Sequence, residues 1–419
     1  MTAILFVLFF VFMIIGIPIA LAIGASTLVA LHLQGVPLMV VTQQMFQGIN
    51  SFALVAIPMF ILTGDLMAQG KISEKLVNFA DSLLGFLKGG LAIVSVLAGM
   101  FFAAISGSGA ATTAAVSSTL VPELKRKGYD PAAAASLIAA SGTIGVVIPP
   151  SVPMIIYAVI AQESVAKLFM SGFIPGLVMG LGLMAIALIQ AYQRNYPKGT
   201  PLSLTTIMRT LKSASWGLMT PVIILGGIFS GIFTPSEAAV VAVNYALIVS
   251  FFIYRDLNLR QMYHILMRSA MTTSVIMLVI AMSAVLSWTL SSWQVPSALA
   301  NTVLSYSTNT YMIMFLVVLV ILLTGVFIET ASALIILTPV LLPLVTQIGI
   351  DPIHFGLIIV VGLAIGMITP PVAINLYVAS SVTQLPLEQI TKAIVPYLLV
   401  LTAVLMLVVY VPMIIGSLF

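Results

Sequence analysis

Two proline pairs, Pro149-Pro150 and Pro370-Pro371, stand in the middle of apolar runs. A proline inside a helix has no N–H for the carbonyl four residues back. The pairs therefore free the carbonyls of Gly145, Val146, Gly366 and Met367. In hydrocarbon an unpaired carbonyl is costly, so such a break persists only where something else satisfies it. An unwound C-terminal helix end carries partial negative charge and several oxygens. That suits a dehydrated Na⁺, by analogy with the other hard cations. One pair alone would fit a simple kink as well as a site; two at equivalent positions of a repeat point to a site.

Two glycine- and hydroxyl-rich stretches supply further groups. The first reads Ser106-Gly107-Ser108-Gly109-Ala110-Ala111-Thr112-Thr113, and the second runs from Thr324-Gly325 through Glu329 to Ser332. Glycine permits a sharp reversal and close backbone approach, hydroxyls give neutral oxygens, and the N–H groups that open the outgoing helix attract an anion. Any single hydroxyl here would suit packing between helices; the clusters facing the proline breaks read as a site. Glu329 is an ionisable residue in an apolar run and so a candidate to bind a cation or carry a proton, while its place at a helix start favours a capping or supporting role. Asp130 and Asp351 precede prolines at helix starts and read as caps.

The elements that must position these groups are membrane helices. Of 419 residues, 61% are hydrophobic and 6% charged, against about 25% charged in a soluble domain. The first basic residue is Lys71, and no charge falls between Arg268 and Glu329. Spanning helices need about 20 mostly apolar residues, and the runs are continuous rather than alternating as a barrel would require. The expected fold is an all-α polytopic membrane protein. The absence of cysteine excludes disulfides and thiolate chemistry. His32, His264 and His354 form no metal-binding pattern, and the N-terminus lacks the charged segment and cleavage site of a signal peptide.

The chain repeats itself. GVVIPPSVPMIIYAV from Gly145 matches GMITPPVAINLYVAS from Gly366, an offset of 221 (366 minus 145). Gly128-Tyr129-Asp130-Pro131 and Gly349-Ile350-Asp351-Pro352 share that offset, as do Pro122 with Pro343 and Pro175 with Pro396. Near the start the register slips, Gly16-Ile17-Pro18 pairing with Phe233-Thr234-Pro235. The expected units are repeat one over 1–200, a cytoplasmic linker over 201–212 and repeat two over 213–419. Placing the basic loops around 71–88, 125–127, 194–212, 255–268 and 392 in the cytoplasm leaves only Lys167 of the 15 basic residues outside. The segment 89–121 then enters and leaves from the cytoplasm, and 310–345 opens outward: two re-entrant hairpins of opposite sense in inverted repeats. Each half holds about five crossings, at 2–15, 18–34, 52–69, 131–162 and 169–191, then 216–233, 237–254, 271–290, 352–383 and 394–417. The segments 131–162 and 352–383 are the discontinuous helices. Residues 73–88 read as an amphipathic interfacial helix, with 296–306 as its counterpart, and either alone would equally suit an ordinary connecting helix.

SGSGAATTAAV with GTIGVVIPPSVPMIIYA, and their echo ETASALIILTPVLLP with GLAIGMITPPVAINLYVAS, resemble the large membrane subunit of tripartite ATP-independent periplasmic (TRAP) transporters over essentially the whole chain. The resemblance implies a Na⁺-driven elevator-type importer in the bacterial inner membrane. It implies a separate small four-helix membrane subunit, a periplasmic substrate-binding protein, and organic-acid substrates such as C4-dicarboxylates or sugar acids. It implies one Na⁺ at Ser106, Gly107, Gly145, Ile148 and Pro149, and a second at Gly325, Gly366, Met367 and Thr369. Serines at the first tip and after the first proline pair touch substrate in sialic-acid members; Ser106 and Ser151 stand there, with Ser108 beside them. The preferred expectation is therefore sialic acid. Pro150, Pro370, Pro371 and Glu329 are supporting residues, and no organic cofactor is implied.

Two other readings compete. One is a stand-alone dicarboxylate-type carrier that needs no binding protein. The other is an intramembrane serine enzyme, which needs a nucleophile with a base in reach; Ser106-Gly107-Ser108-Gly109 has the wrong order for a rhomboid-like site, and His354 lies near a loop. No phosphate-binding loop motif for ATP is present.

Overall fold

In a computed structural model the described residues are 1–68, 71–199 and 201–416. The ends of the expected crossings 52–69 and 394–417, and of both repeats, fall outside them. The chain is all helical, and its one β-bridge, Lys88 with Lys198, is isolated among the described residues. The first half runs α1 (Thr2–Ile14), α2 (Ile19–Leu33), α3 (Leu38–Ile49), α4 (Ala56–Ala68), α5 (Ile72–Leu84), α6 (Gly90–Ser106), α7 (Gly109–Arg126), α8 (Pro131–Thr143), α9 (Val152–Ala161) and α10 (Val165–Gln193). The second runs α11 (Leu204–Phe229), α12 (Pro235–Ile248), α13 (Leu259–Ser292), α14 (Val295–Tyr306), α15 (Thr310–Phe327), α16 (Thr330–Gln347), α17 (Pro352–Gly366), α18 (Ile374–Thr383) and α19 (Leu387–Gly416). Among the described residues seven helices are long and apolar enough to cross a membrane, or eight if the bent pair α3–α4 forms one span.

The same order of elements occurs twice. In the second half a single continuous α13 stands where the first has α3 and α4, bent by 63°. Contacts between the halves are reciprocal: α16 packs on α9 as α7 packs on α18, and α19 on α8 as α10 on α17. Reciprocity of this kind is what a two-fold relation produces.

The hairpins end at opposite ends of the molecule. Near α6–α7, Gly89 N donates to Pro197 O, Lys88 Nζ to Asn195 Oδ1 and Arg194 to Asp130 at 2.7 Å. Tyr397 of α19 reaches Gln190 of α10 at this same basic end. Thirteen residues further along α19, about 20 Å of helix, Tyr410 meets Tyr311 at the start of α15, and Val408 O meets His354 at the start of α17.

Local chemistry sets the boundaries. Asp130 and Asp351 cap α8 and α17, and Ser108, Ser151 and Ser164 cap α7, α9 and α10. The opening stretch is two helices, divided before Pro18. Three features differ from expectation. Helix α3 went unforeseen because Thr42, Gln43, Gln44 and Gln47 interrupt its apolar residues, of which only Val41 is buried. Residues 204–212, expected as linker, are the first turns of α11, begun by Ser203 accepting from Thr206 N. Arg268, assigned to a loop, lies nine residues inside α13.

Candidate functional site

The tip of the first hairpin is one residue, Gly107, in the left-handed conformation (φ 59°) between α6 and α7. A Cβ there would stand 2.6 Å from Pro150 O, so the tip rests directly on the first proline pair. Ser106 Oγ lies 2.9 Å from Thr112 Oγ1 and donates to Ser108 O. A Cβ on Gly145 would stand 2.7 Å from Ser108 O and 2.8 Å from Thr112 Oγ1. Ser106, Gly107, Gly145 and Pro150 thus meet in one place, where neutral oxygens from hairpin and break converge. Thr112, one of the tip hydroxyls, joins them. Ile148 instead sends its side chain against Gly176 of α10, and Pro149 is buried within the break.

The second pairing is closer still. Gly325 and Gly366 touch backbone to backbone, a Cβ on Gly325 lying 3.4 Å from Gly366 Cα. Val372 N donates to Val326 O, tying the break to α15. Thr369 Oγ1 bonds back to Ile365 O. Met367 carries its side chain across to the first hairpin, its Sδ 3.1 Å from where a Gly109 Cβ would be. Both proline pairs, Pro149-Pro150 and Pro370-Pro371, hold a cis peptide.

Three of the four carbonyls that the prolines free find local donors. Val146 O accepts from Ser151 Oγ at 2.5 Å, Gly366 O from Thr369 N, and Met367 O from Asn375 N. Each keeps a second lone pair. Gly145 O is left without such a turn.

A cavity of about 270 Å³ lies between the hairpin tips. Ser106, Gly107, Ser108, Gly109, Glu329 and Met367 line it, together with Asp65 of α4 and Arg268 and Thr272 of α13. Ser151 is fully buried outside this lining, its hydroxyl held by Val146 O and Met154 N. Glu329 caps α16 by accepting from Ala331 N and Ser332 N. Asp65 accepts from Ser269 Oγ at 2.6 Å, whereas the Arg268 guanidinium forms no ion pair among the described residues. An open cation beside the N-terminus of α7 can hold an anionic head group.

Neither Asp65 nor Arg268 was expected at the site, although a lone acid within the run 52–68 carried a signal. Arg268 was hidden by its place beside a basic loop. A larger cavity, about 690 Å³, lies elsewhere between α3, α9 and α13, lined by Gln44, Gln47, Gln162 and Glu163. It touches none of the residues expected at the site.

The profile described as "Tripartite ATP-independent periplasmic transporter, DctM component" matches residues 6–414. An isethionate TRAP transporter permease, DctMQ of Oleidesulfovibrio alaskensis, is 42% identical over 98% of this chain, which spans 65% of that longer protein. The C4-dicarboxylate TRAP large permease DctM of Pseudomonas aeruginosa is 41% identical over 88% of this chain and 86% of its own length. The sialic acid large permease SiaM of Vibrio cholerae is 39% identical over 88% and 87%. The crystal structure of the Alcanivorax borkumensis YdaH transporter superposes with a TM-score of 0.64 over 90% of this chain and 89% of that one, at 14% identity, and so shares its fold. With nearly its whole length matched, the chain belongs to the DctM component family of tripartite ATP-independent periplasmic transporters.

Proposed function

We propose that the chain imports a small organic acid together with Na⁺, by an elevator movement of the hairpins and broken helices against the rest. The observation that carries this reading is the convergence of each hairpin tip on one proline break: Ser106, Ser108 O and Thr112 around Gly145, and Gly325 against Gly366. Neutral oxygens of this kind bind a hard monovalent cation, and the neighbouring cavity offers Arg268 and the start of α7 to an anion. The cation binds as cargo, so the resting chain needs no resident metal.

Family membership supports a small membrane subunit, a periplasmic binding protein and a place in a bacterial inner membrane. Substrate class is read from the cavity. The sialic-acid expectation leaned on Ser106 and Ser151, and Ser151 Oγ is spent on Val146 O. Relatives of similar identity are named for isethionate, C4-dicarboxylates and sialic acid. We assign the substrate as an organic acid whose head group lies on Arg268, without choosing among these.

The test is reconstitution of the chain with its small subunit and binding protein in liposomes, followed by uptake of labelled organic acids. Uptake that needs the binding protein and is competed by one class of acid supports the reading. Equal uptake without the binding protein would favour the stand-alone carrier.

A further inference from the structure

One face of α13 runs past both cavities in steps of three or four residues, the spacing of a helix face. Arg268, Thr272 and Ile276 line the inner cavity at the hairpin tips, and Ile280, Ser283, Ser287 and Ser291 line the outer one of about 690 Å³. Helices α9 and α16 likewise contribute to both. Ser283 stands fifteen residues (283 minus 268) beyond Arg268, about 22 Å of helix, towards the end of α13 away from the basic loops. Helix α3 closes the outer wall. It packs on α13 through Gly48, where a Cβ would strike Ala284 Cβ, and so brings Gln44 and Gln47 to the cavity.

The polar groups around the outer cavity are unspent. Ser283 is 2% exposed, yet its hydroxyl has no hydrogen-bond partner. Its neighbours on α13 return theirs to the helix, Ser274 to Ala270 O and Thr289 to Val285 O. Ser283 does not, and it lines the cavity. The side chains of Gln44, Gln47, Ser287 and Trp288 line the same space and make no hydrogen bond among the described residues. Elsewhere such groups are used: Gln34 accepts from Trp293 Nε1, and Gln190 from the Tyr397 hydroxyl. A buried hydroxyl without a partner costs free energy. A largely apolar cavity of this size with a few convergent polar groups is the usual form of a small-molecule site.

We infer that the outer cavity is a second organic-acid site, where the acid rests before it reaches the hairpin tips. This rests on the import reading above and extends it. The amide N–H groups of Gln44 and Gln47, the hydroxyls of Ser283 and Ser287 and the indole N–H of Trp288 all donate, and so suit carboxylate or sulfonate oxygens. The lining holds one acid, Glu163, and no lysine or arginine. Neutral donors beside a carboxylate hold an anion weakly. Weakness suits the place, because a stop on a transport route must release as readily as it captures. Arg268, further along the same face of α13, then provides the tighter hold.

The experiment is equilibrium binding of radiolabelled isethionate, succinate and sialic acid, each in turn, to the purified full chain in Na⁺. The unaltered chain should bind one of them at two sites, one tight and one weak. Arg268→Gln should weaken the tight site and leave the weak one. Gln47→Leu combined with Ser287→Ala should raise the midpoint of the weak site by about tenfold or more, as two lost hydrogen bonds predict, and leave the tight one. Neither side chain bonds to the rest of the protein, so the melting temperature should hold. Ser291→Cys gives a second readout, on the exposed rim of a chain without other cysteines. The acid should slow its reaction with maleimide in the Arg268→Gln background too, and Gln47→Leu should remove that protection. One site per chain, or a second site indifferent to the double change, overturns the inference and leaves import standing; a cavity that holds only water gives that result. No binding of any of the three acids would instead fail the import reading, and this inference with it.

Discussion

Ser151 Oγ donates to Val146 O across 2.5 Å and closes the break in its own helix. A hydroxyl has one proton, and here it satisfies a carbonyl that Pro150 leaves without its helical donor. The same oxygen accepts from Met154 N and starts α9. Serine after the proline pair is thus part of the scaffold of the break.

Ser151→Ala should leave Val146 O unpaired and lower stability by about 1–3 kcal/mol. The check is the melting temperature of the purified chain, with Ser151→Thr recovering most of the loss. The substrate KM of the folded fraction should stay put. A raised KM with unaltered melting would place Ser151 on substrate.

Gly366→Ala should abolish uptake. Its Cβ would lie 2.6 Å from Gly325 C and 2.7 Å from Gly325 Cα, so α15 and the break must part. Forced overpacking costs about 1–3 kcal/mol. Gly226→Ala is the control, because nothing lies within 4 Å of its Cβ and an exposed helical Gly→Ala change gains up to about 1 kcal/mol. Paired uptake and melting assays separate the two.

Arg268→Gln should cut kcat/KM for the organic acid by about 10- to 100-fold, as expected on losing a charged hydrogen bond worth about 1.5–3 kcal/mol. Na⁺ affinity without substrate should hold. The check is initial uptake rate against substrate concentration in liposomes. An unaltered rate would remove Arg268 from the anion site.

The chain has no cysteine, so single cysteines report topology without background. Lys88→Cys and Lys127→Cys flank the first hairpin, and Ser307→Cys and Gln347→Cys flank the second. Impermeant maleimide on intact cells should label the latter pair, and the former pair only after lysis.

Much of this was legible in the sequence because glycine and proline act locally. The two proline pairs, the Gly107 reversal and the Asp130 and Asp351 caps each follow from backbone geometry at one place. What depends on distant helices was not legible. Arg268 reads as loop until α13 is seen to begin at Leu259, nine residues earlier. Asn375 of α18 donates from its side chain to Ala139 O of α8, 236 positions earlier, a contact that no local pattern announces. The freed carbonyls were only partly foreseen. Chain turns at Thr369 N and Asn375 N supply donors that no count of prolines contains.

The most direct measurement is the initial rate of labelled organic-acid uptake into liposomes holding the chain and its partners, with outside NaCl replaced by KCl at constant osmolarity. If backbone and hydroxyl oxygens around Gly145 and Gly366 hold the driving ion, uptake should fall to the level of empty vesicles in KCl and return with an inward Na⁺ gradient. Equal rates in the two salts would contradict the account.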